Sequence, residues 1–207
     1  MNPEPGVGLS LHLLVPLTAV AVFALPFSRG LRLCLQALAV TRAVEPGEIE
    51  RRLERPVREP LESITLQMLR VLRRALREAG DGQPAEFLID ASRQYVVNEY
   101  DAHWARPISM SANLLPPLGL IGTTAGLLAL FLSKEVDSQS LELGALGLAL
   151  ISTIAALTAY AWLEAFKVRL YHRMLARLDD ALAFFRSASV RAPRRSEPTA
   201  VPRAAQS

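Results

Sequence analysis

The sequence predicts an all-α integral membrane protein with three transmembrane helices, the last two a tight hairpin, and helices extended into the cytoplasm. Two observations carry that prediction. Residues 5–28, 108–132 and 143–163 contain no Asp, Glu, Lys or Arg, although such residues make up 21% of the 207-residue chain. A helix in a soluble core keeps a polar face, so charge-free runs this long take lipid as their solvent. The second observation is the placement of Lys and Arg. Residues 29–107 hold 13 of them and residues 167–207 hold nine, while the short stretch between the later two runs holds one, Lys134. Cationic residues stay on the cytoplasmic side. The middle segment and the C-terminus are therefore expected in the cytoplasm, with the N-terminus and the hairpin tip on the opposite face.

The first span is expected over residues 8–28, followed by Arg29 and Arg32. At ~1.5 Å per residue it covers a hydrocarbon core of ~30 Å. A cleaved signal peptide is the rival reading, and it wants positive charge before the apolar run. Here the run is preceded by Glu4 and the arginines follow it, so an uncleaved anchor is expected.

Residues 29–107 read as a cytoplasmic helical segment. Pro46, Pro56 and Pro60 break its first part into short pieces. Pro60 suits a helix start and Gly80 a stop. Between them Ile64, Met68, Leu72 and Leu76 fall on one face, with Arg70, Arg73, Arg74 and Arg77 largely on another. A further helix is expected from near Pro84 towards Trp104, bringing Phe87, Ala91 and Tyr95 to one side. Trp104 and Arg106 suit the headgroup level where the chain enters the second span.

The second span is expected over 108–132 and the third over 143–166, joined by SKEVDSQSLE at 133–142. A connection this short forces an antiparallel hairpin. The third span is expected to continue as a cytoplasmic helix over 167–186. There Tyr171, Leu175, Leu178, Leu182 and Phe185 repeat at the spacing of packed helices, which suggests contact with copies of the same chain. From 187 to 207, Pro, Arg, Ser and Ala dominate and a disordered tail is expected.

Several function classes find no support. The single cysteine, Cys34, excludes an internal disulfide framework and a multi-cysteine metal site. His12, His103 and His172 lie far apart without ligand spacing, and no basic run interleaved with aromatics suggests a nucleic-acid partner. With no phosphate loop and no nucleophile elbow, neither an enzyme nor a cofactor is expected.

The hairpin spans carry the information. Gly119, Gly122 and Gly126 form a small-residue stripe in the second, and Gly144, Gly147, Ser152, Ala155, Ala156 and Ala159 supply small residues in the third. Small residues let helix backbones approach closely in a bilayer, so these glycines are expected to pack helices. Thr123, Thr124, Ser152, Thr153 and Thr158 place hydroxyls in the same spans. Such hydroxyls often bond back to the carbonyl one turn earlier. The other reading is a pore lining that holds water or passes a proton. Thr123 and Thr153 lie near the middle of their spans, so an antiparallel hairpin sets them at similar depth.

At these residues the chain resembles a known family. PLGLIGTTAGLL, from Pro117, is similar to the second-span motif of the MotA/TolQ/ExbB proton-channel family. ALISTIAAL, from Ala149, resembles the third-span motif of its ExbB and TolQ branch. The order of spans also agrees, while the motif match is confined to about residues 115–160. The resemblance implies a pore-forming subunit of a proton-driven motor in the bacterial inner membrane. Five copies would surround a single-span partner of the ExbD, TolR or MotB type, whose membrane Asp carries protons. The N-terminus and the 133–142 loop would be periplasmic. The family threonines fall on Thr123 and Thr153, which the resemblance places along the proton path.

Two positions depart from the pattern. ExbB and TolQ carry a Glu five residues before the third-span threonine, where this chain has Leu148, and their later Pro and Tyr-Asn are absent. The stretch ELGAL from Glu142 resembles the MotA branch instead, whose threonine would fall at Ile154. Independently of any resemblance, no acidic or basic residue lies deep in any span, and proton movement needs an ionisable carrier. A proton-conducting role thus requires a carrier from another subunit. A non-conducting scaffold built on the same helix packing is the alternative.

Overall fold

The computed structural model describes residues 5–54, 61–79, 83–134 and 139–191, with side chains over 22–54, 61–79, 83–131 and 142–188. The described residues are helical throughout, apart from short connections, and include no strand. In chain order the helices are α1 (Pro5–Val40), α2 (Pro46–Leu53), α3 (Ile64–Ala79), α4 (Ala85–Tyr100), α5 (Arg106–Asn113), α6 (Leu115–Lys134) and α7 (Gln139–Arg191). A π-helical turn over Asp101–Ala105 joins α4 to α5.

Prolines set the breaks. Pro107 has no N–H to return to the carbonyl of residue 103, so a regular α-turn cannot be completed there. The π turn just before it instead carries the Arg106 N–H to the Asp101 carbonyl, five residues back. Pro116 and Pro117 together remove two more donors, and the chain turns at Leu114 between α5 and α6. The span expected as one helix over 108–132 is therefore two helices with a break inside it.

Helix α7 shows the opposite behaviour. It runs 53 residues without interruption, so the expected third span and the helix after it are one element. Residues 187–191, expected in a disordered tail, are its last turn; the rest of 187–207 lies outside the described residues. Similarly, α6 reaches Lys134 and α7 begins at Gln139, which trims the expected 133–142 loop to 135–138, outside the described residues.

Two apolar clusters hold the bundle together. Near the middle of the molecule Cys34 and Ala37 of α1 meet Ile108 and Ala112 of α5, Leu115 of α6, and Leu163 and Leu170 of α7, all fully buried. Gly30 marks the crossing of α1 over α7: a Cβ there would lie 2.9 Å from Leu163 Cδ1. At the charged end α3 lays Ile64, Leu66, Met68 and Leu69 against Met174, Leu178 and Ala181 of α7 and Val96 and Tyr100 of α4. The buried carboxylate of Glu62 pairs there with Arg70 Nε at 2.9 Å. Arg70 also donates to the Arg52 carbonyl at 3.1 Å, tying α3 to α2.

This packing corrects one reading of a helix face and gives another a partner within the chain. On α4 the structure buries Leu88, Ser92, Val96 and Tyr100, and it leaves Phe87, Ala91 and Tyr95 exposed. The buried stripe sits one residue along from the large aromatics. On α7 the Leu175–Leu178–Leu182–Phe185 seam packs within the chain, against the cluster that α3 and α4 complete. Tyr171, at the head of that seam, faces Tyr100 with ring centroids 6.5 Å apart.

Beyond the clusters the apolar surface is uncovered. Among the described residues two helical stretches are long and apolar enough to cross a membrane, Ala85–Phe131 and Glu142–Ala188. Their most apolar windows are 17% and 22% buried, whereas the core helix of a soluble protein is mostly covered. Leu120, Ile121, Leu128 and Phe131 on α6, with Leu150, Ile151 and Ile154 on α7, stand exposed with no charge among them. Exposed apolar surface on this scale calls for lipid or protein cover.

Candidate functional site

Helices α6 and α7 pack antiparallel along a line of small residues. Gly119 faces Ala156, Gly122 faces Ser152, and Gly126 faces Ala149 and Ala145. The spacing is 3 and 4 on α6 and 4, 3 and 4 on α7, which keeps each set on one helical face. A Cβ at Gly119 or Gly122 would stand 2.6 Å from a side-chain atom opposite. At Gly126 it would meet backbone as well, the Ala145 carbonyl oxygen and the Ala149 nitrogen, both at 2.8 Å. The helices approach each other most tightly at Gly126.

Gly144 and Gly147 do not take part. A Cβ on either would meet nothing within 4 Å, because both lie off the α7 face that carries Ala145, Ala149, Ser152 and Ala156. Both were expected to pack helices, and within the chain neither meets a neighbouring helix. Ala145 and Ala149, which sequence reasoning passed over, do the packing instead. The signal that identifies them is the match between their spacing and that of the glycines.

Thr123 and Thr153 meet across the seam. Their hydroxyls are in direct hydrogen-bond contact. Thr123 Oγ1 also donates to the Gly119 carbonyl at 3.0 Å and approaches the Ala149 carbonyl at 3.3 Å. Thr153 Oγ1 reaches the same two carbonyls, Ala149 at 3.3 Å and Gly119 at 3.5 Å. Two hydroxyls thus share two carbonyls, one from each helix. Each hydroxyl has one proton to donate and can accept another, so the cluster is satisfied internally and can still bond to a further donor. Both threonines are half-buried, at the edge of the seam.

The other hydroxyls behave differently. Ser152 is buried and donates to Ala149 at 3.0 Å, and Thr124 is exposed and donates to Ile121 at 2.9 Å. Both are one-turn bonds back to the helix's own backbone.

Among the described residues no acidic or basic side chain lies near the threonine pair along either helix. On α7 Thr153 stands 11 residues from Glu142 and 11 from Glu164, or ~16 Å each way. The pair can accept and pass a proton but cannot store a charge. Leu148 lies half-buried on α7.

The fold and this site define an all-helical chain with two membrane-competent helical stretches, clamped by a glycine–alanine seam around a threonine pair. No family model, curated protein or solved structure matches the chain.

Proposed function

We propose that this chain is the pore-forming subunit of a proton-driven motor of the bacterial inner membrane. In this reading it spans the bilayer three times, with the first span, residues 8–28, within α1 and the N-terminus periplasmic. Five copies assemble around a single-span partner of the ExbD, TolR or MotB type. The observation that carries the proposal is the Thr123–Thr153 contact between two charge-free runs. A hydroxyl pair without a carrier of its own suits a path whose ionisable group is the partner's membrane Asp. The PLGLIGTTAGLL and ALISTIAAL stretches, which resemble the MotA/TolQ/ExbB motifs, support the same reading. Exposed apolar faces on α6 and α7 leave room for neighbouring copies and for the partner.

The test is proton flux in vesicles holding the chain and a co-purified single-span partner. Wild type should conduct, and Thr123→Val and Thr153→Val should each reduce flux by about tenfold or more while native mass spectrometry still finds the assembled complex. A chain that purifies alone as a monomer, from detergent and from lipid, would refute the assembly.

A second reading, a non-conducting scaffold, is favoured by one observation. Leu148 stands where ExbB and TolQ carry Glu, and the threonine hydroxyls already satisfy one another. Absent flux in an intact complex, or flux indifferent to both substitutions, selects the scaffold.

A further inference from the structure

A cleft of about 790 Å³ opens between the π turn with α5 on one side and α7 on the other. Its walls include Arg106, Ser109, Met110 and Leu114 from the first side and Lys167 and Val168 from the second. Both cations sit at the edges of charge-free sequence. Arg106 is the last charge before the 108–132 run, and Lys167 is the first cation after the 143–163 run. The break in α4–α5 geometry belongs to this place too, since the π turn supplies Asp101 and Ala105 to the same cleft.

We propose that this cleft binds an anionic phospholipid, its phosphate between Arg106 and Lys167 and an acyl chain along Met110 and Leu114. The inference rests on the chain being a membrane protein and not on its conducting protons.

Donor arithmetic leaves capacity for a phosphate. Arg106 is held by Asp101 through Nε at 2.9 Å, which uses one of five guanidinium N–H donors. Lys167 donates to Ser109 Oγ at 2.7 Å and pairs with Glu164, which uses two of three ammonium donors. The two carboxylates therefore aim the cations without exhausting them. A guanidinium and an ammonium lining one cleft from two helices fit a phosphate better than they fit a neutral headgroup.

The apolar part of the cleft runs in the matching direction. Arg106 and Met110 stand four residues apart on one face of α5, and Leu114, at the turn that follows, carries the line on into the charge-free run. Met110 is 67% exposed and Leu114 50%, with Val168 opposite at 50%. A free phosphate has no use for that apolar strip, whereas a phospholipid covers it with its chain.

The experiment uses the full chain in nanodiscs of equal phosphatidylcholine and phosphatidylglycerol, released into native mass spectrometry. Phosphatidylglycerol should be retained selectively by wild type. Arg106→Gln and Lys167→Gln should each lower retention about fivefold, and together roughly twentyfold, the scale expected for cations at an anionic surface. Arg106→Lys should keep most of it, and Arg73→Gln, on the exposed face of α3, should change nothing. Equal retention by the double variant would overturn the proposal, as would displacement of the lipid by inorganic phosphate. A Met110→Cys chain that cross-links to a second copy regardless of lipid would assign the cleft to that copy instead. Full extraction of the chain from membranes by carbonate would sink the membrane reading itself. An embedded chain with no preference for phosphatidylglycerol sinks the lipid site alone.

Discussion

Substituting Gly126 by Ala tests the hairpin seam where its geometry is least forgiving. The added Cβ would lie 2.8 Å from the Ala145 carbonyl oxygen and from the Ala149 nitrogen, and 2.7 Å from the Ala149 Cβ. Ordinary carbon–oxygen contacts begin near ~3.3 Å, so α6 and α7 must part by about half an ångström. Backbone atoms cannot rotate aside as a side-chain tip can, and the gap spreads to the Gly122–Ser152 and Gly119–Ala156 contacts. A gap of that size forfeits a quarter or more of the dispersion energy of each atom pair along the seam. Overpacking of this kind costs ~1–3 kcal/mol. Ala is also intrinsically the better helix former, by ~1 kcal/mol, which hides part of the effect. Gly144→Ala and Gly147→Ala remove that ambiguity, because a Cβ at either meets nothing within 4 Å. Both receive the same propensity gain with no steric cost. The difference between Gly126→Ala and these controls should be about 2 kcal/mol, or ~4–8 °C in thermal midpoint for a chain of this size. Thermal unfolding of the purified variants in one detergent measures it. Equal midpoints for the three variants would refute the close-approach argument and, with it, the register of the hairpin.

Two further predictions concern the bundle outside the hairpin. Cys34 is fully buried and burial pushes its thiol up to about 11. Maleimide should leave the native chain unlabelled at neutral pH and label it on unfolding. The folded state holds the thiol proton more tightly than the unfolded one, so this contribution to stability is whole below pH 9 and declines as pH rises towards 11. Unfolding midpoints of wild type and Cys34→Ala across that range should converge at the alkaline end. Arg70→Met should destabilise the chain by about 3 kcal/mol, because it removes the cation held 2.9 Å from the buried Glu62 carboxylate. Adding Glu62→Gln should restore part of that loss in denaturant titration, where two independent effects would simply sum.

What could be read from the sequence and what could not divide along a physical line. Charge-free runs at 108–132 and 143–163 are visible in one dimension, because lipid excludes charge from every face of a helix. The glycines of α6 are equally visible, since no other residue allows so close an approach. Facing partners are a different matter. Gly144 and Gly147 are smaller than Ala145 and Ala149, yet the helix phase turns the alanines towards α6. On α4 the eye goes to Phe87 and Tyr95, while the bundle closes over Leu88 and Val96, a rotation of one residue. The break at Leu114 required weighing Pro116 and Pro117 against an apolar pattern that runs straight through them. Thr123 and Thr153 can be singled out by depth. That they touch, and share the Gly119 and Ala149 carbonyls, depends on a register only the packed seam defines.

The unbroken length of α7 has a mechanical meaning. From Leu148 to Arg191 the helix contains neither glycine nor proline, so it has no built-in hinge. At ~1.5 Å per residue its 53 residues form a rod of ~80 Å. About half of that rod lies on the charged-end side of Phe166, clamped along its side by α3 and α4. A tilt of about 5° at the threonine pair would carry through to the far end as a displacement of ~5 Å, given a lever arm of ~57 Å from Thr153 to Arg191. Because nothing along α7 can absorb that angle, any motion set up at the threonine pair must move the α3–α4 layer as a body.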